Sequence, residues 1–166
     1  MERGVRVLTL YLDSVRNDQA TLNYALWLTE RGGEVRTSPT LPVRMVVFDR
    51  EAALLPIDPE NTKKGAVLLR GSGVITALVA LFEWLWATAA PFGVDHHREM
   101  CEAGLTAQEA ELLKLLCRGS TDEIAARKLG IGLRTVRRMM SDLMGRLGAR
   151  SRFEAGARAV QRGWLA

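Results

Sequence analysis

The feature that most limits what this chain can fold into is a dense series of helix start and stop signals after Leu105. Thr106 stands three residues before Glu109, which is the spacing of a capping box at the start of a helix. An apolar run follows, and Gly119 predicts the end of that helix. Thr121 can cap a second helix. The sequence therefore predicts an all-α region over residues 105–166.

A short break between the second and third helices has the sequence Gly130-Ile131-Gly132, and such breaks are found in helix-turn-helix units. The third helix is predicted from Leu133 to Leu147, because its apolar residues recur at spacings of three and four. A fourth helix, capped by Ser151, is predicted to run through Arg162. Its inward-facing residues are predicted to be Phe153, Ala157 and Val160.

Another face of the third helix carries Arg134, Arg137, Arg138 and Ser141. A short helix held on two others can place its N-terminal residues in the major groove of DNA. The planar guanidinium of arginine can bond guanine O6 and N7, or hold a phosphate. Residues 105–166 contain 12 basic and 6 acidic residues, whereas the remainder contains 11 and 13. This asymmetry predicts two domains with different partners, and double-stranded DNA is the partner expected for the second.

The same region resembles the LuxR/NarL-type DNA-binding domain over about sixty residues without a gap. The resemblance is carried by the segments Leu105–Glu109, Leu112–Leu116, Gly119–Glu123, Leu129–Ile131, Arg134–Arg138 and Leu143–Arg152. It implies a four-helix domain whose third helix enters the major groove and whose fourth helix mediates dimerisation. Gly132 stands where the family usually has a capping Ser or Thr, so the third helix is expected to lack a side-chain cap.

The resemblance also implies contact residues by position. The residues expected to meet bases or nearby phosphates are Arg134, Val136, Arg137 and Arg138. The residues expected to contact the DNA backbone are Thr121, Lys128, Thr135, Arg146, Arg150 and Ser151.

The first ninety residues show mixed signals, in the order strand, helix, strand, hairpin, strand, helix. This order predicts a small α/β sheet domain with one or two helices packed on it, over residues 1–92. Residues 93–104 are predicted to form a linker, and residues 105–166 to form the helix-turn-helix domain. The overall fold class predicted is a small α/β sheet domain followed by an all-α four-helix domain.

The last predicted helix of the first domain, Gly73–Ala90, is apolar on nearly every side and must be covered on more than one face. Its Trp84 and Trp86 either pack on the domain's own sheet or form a dimer or ligand surface. Together with Trp27, this helix could line a pocket for a hydrophobic small molecule. We therefore hypothesise that the protein forms a homodimer and that it binds a hydrophobic small-molecule effector.

A second resemblance rests on Arg36–Arg50 and Ala53–Pro59, within Val5–Ala90. This region is similar to half of a phospholipase-D-like or TrmB-type sensor domain, but it lacks the catalytic His and Lys. The resemblance therefore implies no hydrolase activity. A receiver domain of the usual size, with an acidic pocket and a switch Lys, does not fit, so control by phosphorylation is not expected.

Other classes of function receive little support from the sequence. There is no dinucleotide-binding or phosphate-cradling glycine motif and no nucleophile elbow. Cys101 and Cys117 lack zinc-ligand spacing, and His96 and His97 fall in the predicted linker. The apolar stretch Val74–Trp86 is shorter than a membrane span needs. We therefore expect a cytoplasmic transcriptional regulator without cofactor, metal or catalytic site; the alternative is a regulator that senses a small molecule, and a hydrolase rests only on fold analogy.

Overall fold

The computed structural model describes residues 4–93 and 104–165. The chain divides into two compact units, and the division does not follow the order of the sequence. One unit contains residues 1–40 and 90–166, and the other contains residues 41–89.

The first unit contains a small mixed sheet. Strand β1 (Leu8–Leu12) lies parallel to β2 (Glu34–Ser38), and β6 (Ala90–Pro91) pairs antiparallel with β2. Helix α1 (Gln19–Glu30) connects β1 to β2 after a 3-10 turn at Asp13–Asn17. Asp18 caps α1 by accepting a hydrogen bond from the Ala20 N–H. The helix buries Ala25 and Leu28 against Val35 of β2.

The second unit is an antiparallel sheet with one helix. Strands β3 (Val46–Phe48), β4 (Ala52–Pro56) and β5 (Ala66–Arg70) pair in that order, and α2 (Ser72–Thr88) follows β5. The predicted hairpin is present, because Asp49 and Arg50 both adopt positive φ and so form the tight turn that suits twisted strands.

The expectation of a single sheet was wrong, since the strands within residues 4–93 and 104–165 form two separate three-stranded sheets. The parallel pair β1–β2 is joined by a helix, whereas the hairpin-linked strands pair only with one another. Pro39 and Pro42 lie between the two sets of strands. A proline has no N–H to offer a neighbouring strand, so this segment is poorly suited to continue the first sheet into the second.

The C-terminal region contains α3 (Ala107–Cys117), α4 (Asp122–Leu129), α5 (Leu133–Leu147) and α6 (Arg152–Gln161). These helices begin and end close to the predicted positions, and the capping box of Thr106 and Glu109 is formed in full. The helices enclose one hydrophobic core. The largest side chains buried in it are Leu105, Leu112, Leu129, Val136, Leu143 and Leu147.

The prediction for α6 was wrong in its orientation. The helix buries Ala155 and Ala159, while Phe153 is 90% exposed and Val160 is also exposed. Two stripes on this helix have helical spacing, and the small alanines allow α6 to approach the rest of the bundle closely. The larger side chains of the other stripe predict its burial from sequence alone, but in the structure they face solvent.

The predicted linker lies almost entirely outside the described residues, and so do His96, His97 and Cys101. The domain boundaries at residues 92 and 105 therefore stay predictions. Within the ranges 4–93 and 104–165, no helix has both the length and the apolar character of a membrane span.

Candidate nucleic-acid interface

The turn between α4 and α5 sets the direction in which α5 leaves the bundle. Gly130 adopts the left-handed conformation, with φ 63°, and ends α4. The Ile131 N–H donates to the Ala126 carbonyl at 3.0 Å, and the Gly130 N–H donates to Arg127 at 3.2 Å. This is the glycine-dependent hydrogen-bond pattern that closes many helices. Gly132 then precedes α5 without any side-chain cap, as predicted.

Helix α5 has one fully apolar face and one basic face. Val136, Met140, Leu143 and Leu147 are buried in the core at spacings of four, three and four. Because a helix repeats every 3.6 residues, side chains offset from that stripe must point outward. The outward face carries exposed side chains of Arg134, Arg137, Arg138 and Ser141. We call this set the α5 basic face.

Val136 does not belong to the α5 basic face. The resemblance placed it among the residues that meet bases or phosphates, but its side chain is 0% exposed. It packs between helices and fixes α5 from inside. Thr135, next to it, is half-buried at the start of the helix.

Arg137 is held over the start of α4 by two acidic side chains. Its Nε lies 3.7 Å from Asp122 and one of its terminal nitrogens lies 4.0 Å from Glu123, while 61% of its side chain stays exposed. Both ion pairs are long and the arginine in them is exposed, so they contribute little to folding stability. They do restrict the guanidinium to one side of α5 without removing it from solvent.

Asp122 has a second and closer partner on α6. Arg152 donates two hydrogen bonds to its carboxylate, at 2.6 and 2.8 Å. These hydrogen bonds, assisted by the charges of Arg152 and Arg137, hold the pKa of Asp122 below its ordinary value, although desolvation opposes the shift. The pair fixes α4 to α6, and its residues lie 30 positions apart in the sequence.

Thr121 and Ser151, which were predicted to contact the DNA backbone, both stand at helix N-termini. The Thr121 hydroxyl oxygen accepts a hydrogen bond from the Ile124 N–H at 3.3 Å, and that of Ser151 accepts one from the Glu154 N–H at 3.1 Å. The Thr121 hydroxyl also donates to the Glu123 carboxylate. Both Thr121 and Ser151 are exposed. A helix N-terminus favours negative charge, so both positions suit a phosphate.

The remaining basic candidates differ in how they are held. Lys128 and Arg150 are exposed at the end of α4 and just before α6. Arg146, in contrast, donates to Glu109 at 2.9 Å and to the Gly104 carbonyl, and its guanidinium lies 5.1 Å from the centre of the Trp164 ring. Its contacts connect α5 to α3 and to the C-terminal segment.

The sequence does not predict the ion pair between Asp122 and Arg152, which positions the carboxylate that lies beside Arg137. Nothing local marks Asp122 and Arg152 as partners, since no short spacing relates them. Asp122 lies in the first turn of α4, where the helix dipole favours an acidic residue. From the sequence alone, this local role is enough to account for Asp122. Only the three-dimensional structure shows that Asp122 binds Arg152 of α6.

Residues 103–159 match the GerE family model, described as bacterial regulatory proteins of the luxR family. This match confirms the first resemblance. The chain is also 31% identical over 163 residues to the bialaphos biosynthetic pathway regulatory protein of Streptomyces hygroscopicus. The alignment covers 96% of this chain and 61% of that protein. No solved structure matches the chain significantly.

Proposed function

We propose that this chain is a DNA-binding transcriptional regulator whose α5 enters the major groove of double-stranded DNA. The observation that carries the proposal is the α5 basic face, which stands on a helix whose opposite face is fully buried and which follows a glycine turn. The luxR-family match over the same residues supports it, and so does the similarity to a protein named as a regulator. The proposal includes a four-helix binding domain, and control that does not depend on phosphorylation.

The geometry suits this task because the bundle presents α5 rigidly. Helix α5 has 15 residues, and about 22 Å of helix can lie in a groove about 12 Å wide. Arg134 and Arg138 can reach base edges, where a guanidinium bonds guanine bidentately. Thr121 and Ser151 then hold phosphates on either side, which sets the register of the protein on the duplex.

We also propose that the regulator binds DNA as a dimer. The resemblance assigns dimerisation to the last helix, and α6 has the exposed stripe that such contact needs. Phe153 and Val160 lie on its outward side, with Ala157 between them. Solvent-exposed aromatic side chains of this kind are favoured at protein interfaces. Two copies would then read half-sites related by the two-fold axis of the dimer.

The test is DNA binding by the full chain and by Arg138→Ala, on duplexes selected from a random library, at salt concentrations from about 50 to about 200 mM. If Arg138 reads a base, the variant should lose about 1–3 kcal/mol of specific binding. If it holds a phosphate, the slope of log affinity against log salt should fall by about one. Fluorescence anisotropy of a labelled duplex measures both quantities.

A matched control is Lys63→Ala, which removes one exposed positive charge from the unit of residues 41–89. It should leave affinity and salt slope unchanged, because that charge lies outside the α5 basic face. Equal losses in both variants would mean that only the overall charge matters. Absence of any duplex binding by the wild-type chain, even at the lowest salt, would overturn the proposal.

The alternative of a small-molecule effector has weaker support. A groove of about 200 Å³ lies beside α2 in the unit of residues 41–89, lined by Arg50, Ile75, Thr76, Val79, Ala80 and Glu83. Drug-sized ligands usually occupy about 300–1,000 Å³ of mostly apolar space. This groove is smaller, and an ion pair between Arg50 and Glu83 lies in its lining. The resemblance of Val5–Ala90 to a sensor half-domain likewise stays a prediction.

A further inference from the structure

One side of α2 carries apolar side chains that nothing in its own unit covers. The helix buries Ile75 and Leu85, while Trp84 is 64% exposed and Val74 is about half exposed. Ala77 is exposed and Leu81 is half-buried on the same side. We call Val74, Ala77, Leu81 and Trp84 the α2 stripe.

The spacing of the α2 stripe is three, four and three residues, which is the pattern of a helix that packs along another helix. The stripe is also complementary to itself in one orientation. If two copies of α2 lie antiparallel around a point near Val79, Val74 of one copy faces Trp84 of the other, and Ala77 faces Leu81. Each contact then joins a small side chain to a large one, so the two surfaces can interdigitate.

The ends of α2 favour the same orientation. The first turn contains no acidic residue and the last turn contains no basic residue, so neither end of the helix dipole is compensated by a side chain there. Antiparallel pairing places the positive end of each helix beside the negative end of the other. The stripe itself carries no charge that would oppose the contact.

We propose that the α2 stripe binds the α2 stripe of a second copy of this chain, antiparallel and across a two-fold axis. An isologous contact of this kind uses one patch twice and closes at a dimer. The proposal rests on the proposed function in one respect, because it names a surface that joins two DNA-reading chains. It places that surface in the unit of residues 41–89, where it joins two chains without DNA, and leaves α6 as the contact between helical regions on DNA.

The sheet of this unit has a second uncovered apolar face, which serves as the matched control. Val46, Leu54 and Leu68 stand side by side in register across the three strands. Val46 and Leu68 are exposed. Ala53 is fully buried on the opposite face. Leu68→Ser therefore changes an apolar residue about as exposed as Trp84 without altering the α2 stripe.

The first experiment is an exchange of side chains, followed by sedimentation velocity of the full chain without DNA. Trp84→Val should weaken the dimer about tenfold or more, because it removes a large interface anchor. Val74→Trp should also weaken it, because it sets two tryptophans against each other. The double variant Val74→Trp with Trp84→Val should restore the dimer, since each pair again joins a small and a large side chain.

The second experiment uses cysteines in a background where Cys101 and Cys117 are replaced by serine, under mild oxidation. An equimolar mixture of Val74→Cys and Trp84→Cys chains should form disulfide-linked pairs. Either variant alone should not, because its two cysteines would lie about 15 Å apart along the helices. A disulfide needs Cα atoms within about 7 Å.

The outcomes separate this inference from the proposed function. Restoration by the double variant and cross-linking only in the mixture support it. Self-linking of each single cysteine variant, a monomeric wild-type chain, or dissociation caused by Leu68→Ser or Phe153→Ser instead of Trp84→Val would overturn it. None of these outcomes touches the role of Arg138, which is measured on DNA, and circular dichroism establishes that each variant is folded.

Discussion

The helical region and the unit of residues 41–89 differ in how completely they bury their large apolar side chains. In the helical region, α3, α4 and α5 turn their large leucines inward, and the exposed face of α5 is basic. In the unit of residues 41–89, Trp84 on α2 and Leu68 on β5 remain largely exposed. The first region buries its large leucines and exposes apolar surface chiefly on α6, at Phe153 and Val160, while the second exposes it on both its helix and its sheet. Outward-facing chemistry therefore differs by surface: the exposed face of α5 carries charge, which suits a nucleic acid, whereas α2 and α6 carry apolar area, which suits a protein surface.

Shortening one leucine in each region should give the largest difference in stability between the two. Leu143→Ala removes a fully buried side chain from α5 and should lower the free energy of unfolding by about 2–5 kcal/mol. Leu68→Ala, on the exposed face of β5, should cost less than about 1 kcal/mol. Urea denaturation followed by circular dichroism measures both. Equal costs would mean that the face of β5 is covered and that the contrast between the regions is wrong.

A second comparison concerns the ion pairs of the two regions. Arg152 binds Asp122 bidentately, and only 10% of the Asp122 side chain is exposed. Arg50 and Glu83 form a pair in which both side chains are mostly exposed. Arg152→Ala should therefore cost about 1 kcal/mol, and Arg50→Ala should cost roughly half of that or less. Thermal unfolding of both variants beside the wild type checks the ranking, which a larger cost for Arg50→Ala would contradict.

The pH dependence of the first pair follows from the lowered pKa of Asp122. Because the folded-state pKa lies below the unfolded value, the stabilisation is fully present above the ordinary aspartate pKa. It is lost as pH falls through the folded-state pKa. The difference in melting temperature between wild type and Asp122→Asn should thus be larger at about pH 6 than at about pH 2.5. A difference that grows on acidification would show that the carboxylate is not stabilised by Arg152.

Whether a feature of the fold or of the candidate site can be predicted from the sequence depends on how far apart in the chain the interacting residues lie. Thr106, Thr121 and Ser151 cap helices through hydrogen bonds three residues away, so local patterns place α3, α4 and α6 correctly. The α5 basic face follows in the same way from the helical period. These are the parts of the candidate site that local chemistry determines.

Features decided by distant contacts were not predictable. Both stripes of α6 have helical spacing, so the sequence does not show which one is buried. The neighbouring helices determine that Phe153 faces solvent. The tie of Asp122 to Arg152, and the contacts of Arg146 with Glu109 and Trp164, join residues separated by 18 to 37 positions. The separation into two sheets depends on which strands meet, and no single strand encodes that choice.

The smallest expected effect comes from adding a side-chain cap at Gly132, the residue that precedes α5. Gly132 has φ −68° and ψ 148°, an extended conformation that any residue adopts, and an added Cβ would meet nothing closer than the Thr135 hydroxyl at 3.9 Å. Gly132→Ser should therefore supply the missing cap and stabilise the chain by a few tenths of a kcal/mol, roughly the difference between glycine and serine caps. Gly148→Ser is the opposite case, because its φ of 66° disfavours any side chain and Arg158 lies close to the added atom. It should destabilise by about 1 kcal/mol, and a destabilising Gly132→Ser would indicate that the start of α5 requires a bare backbone.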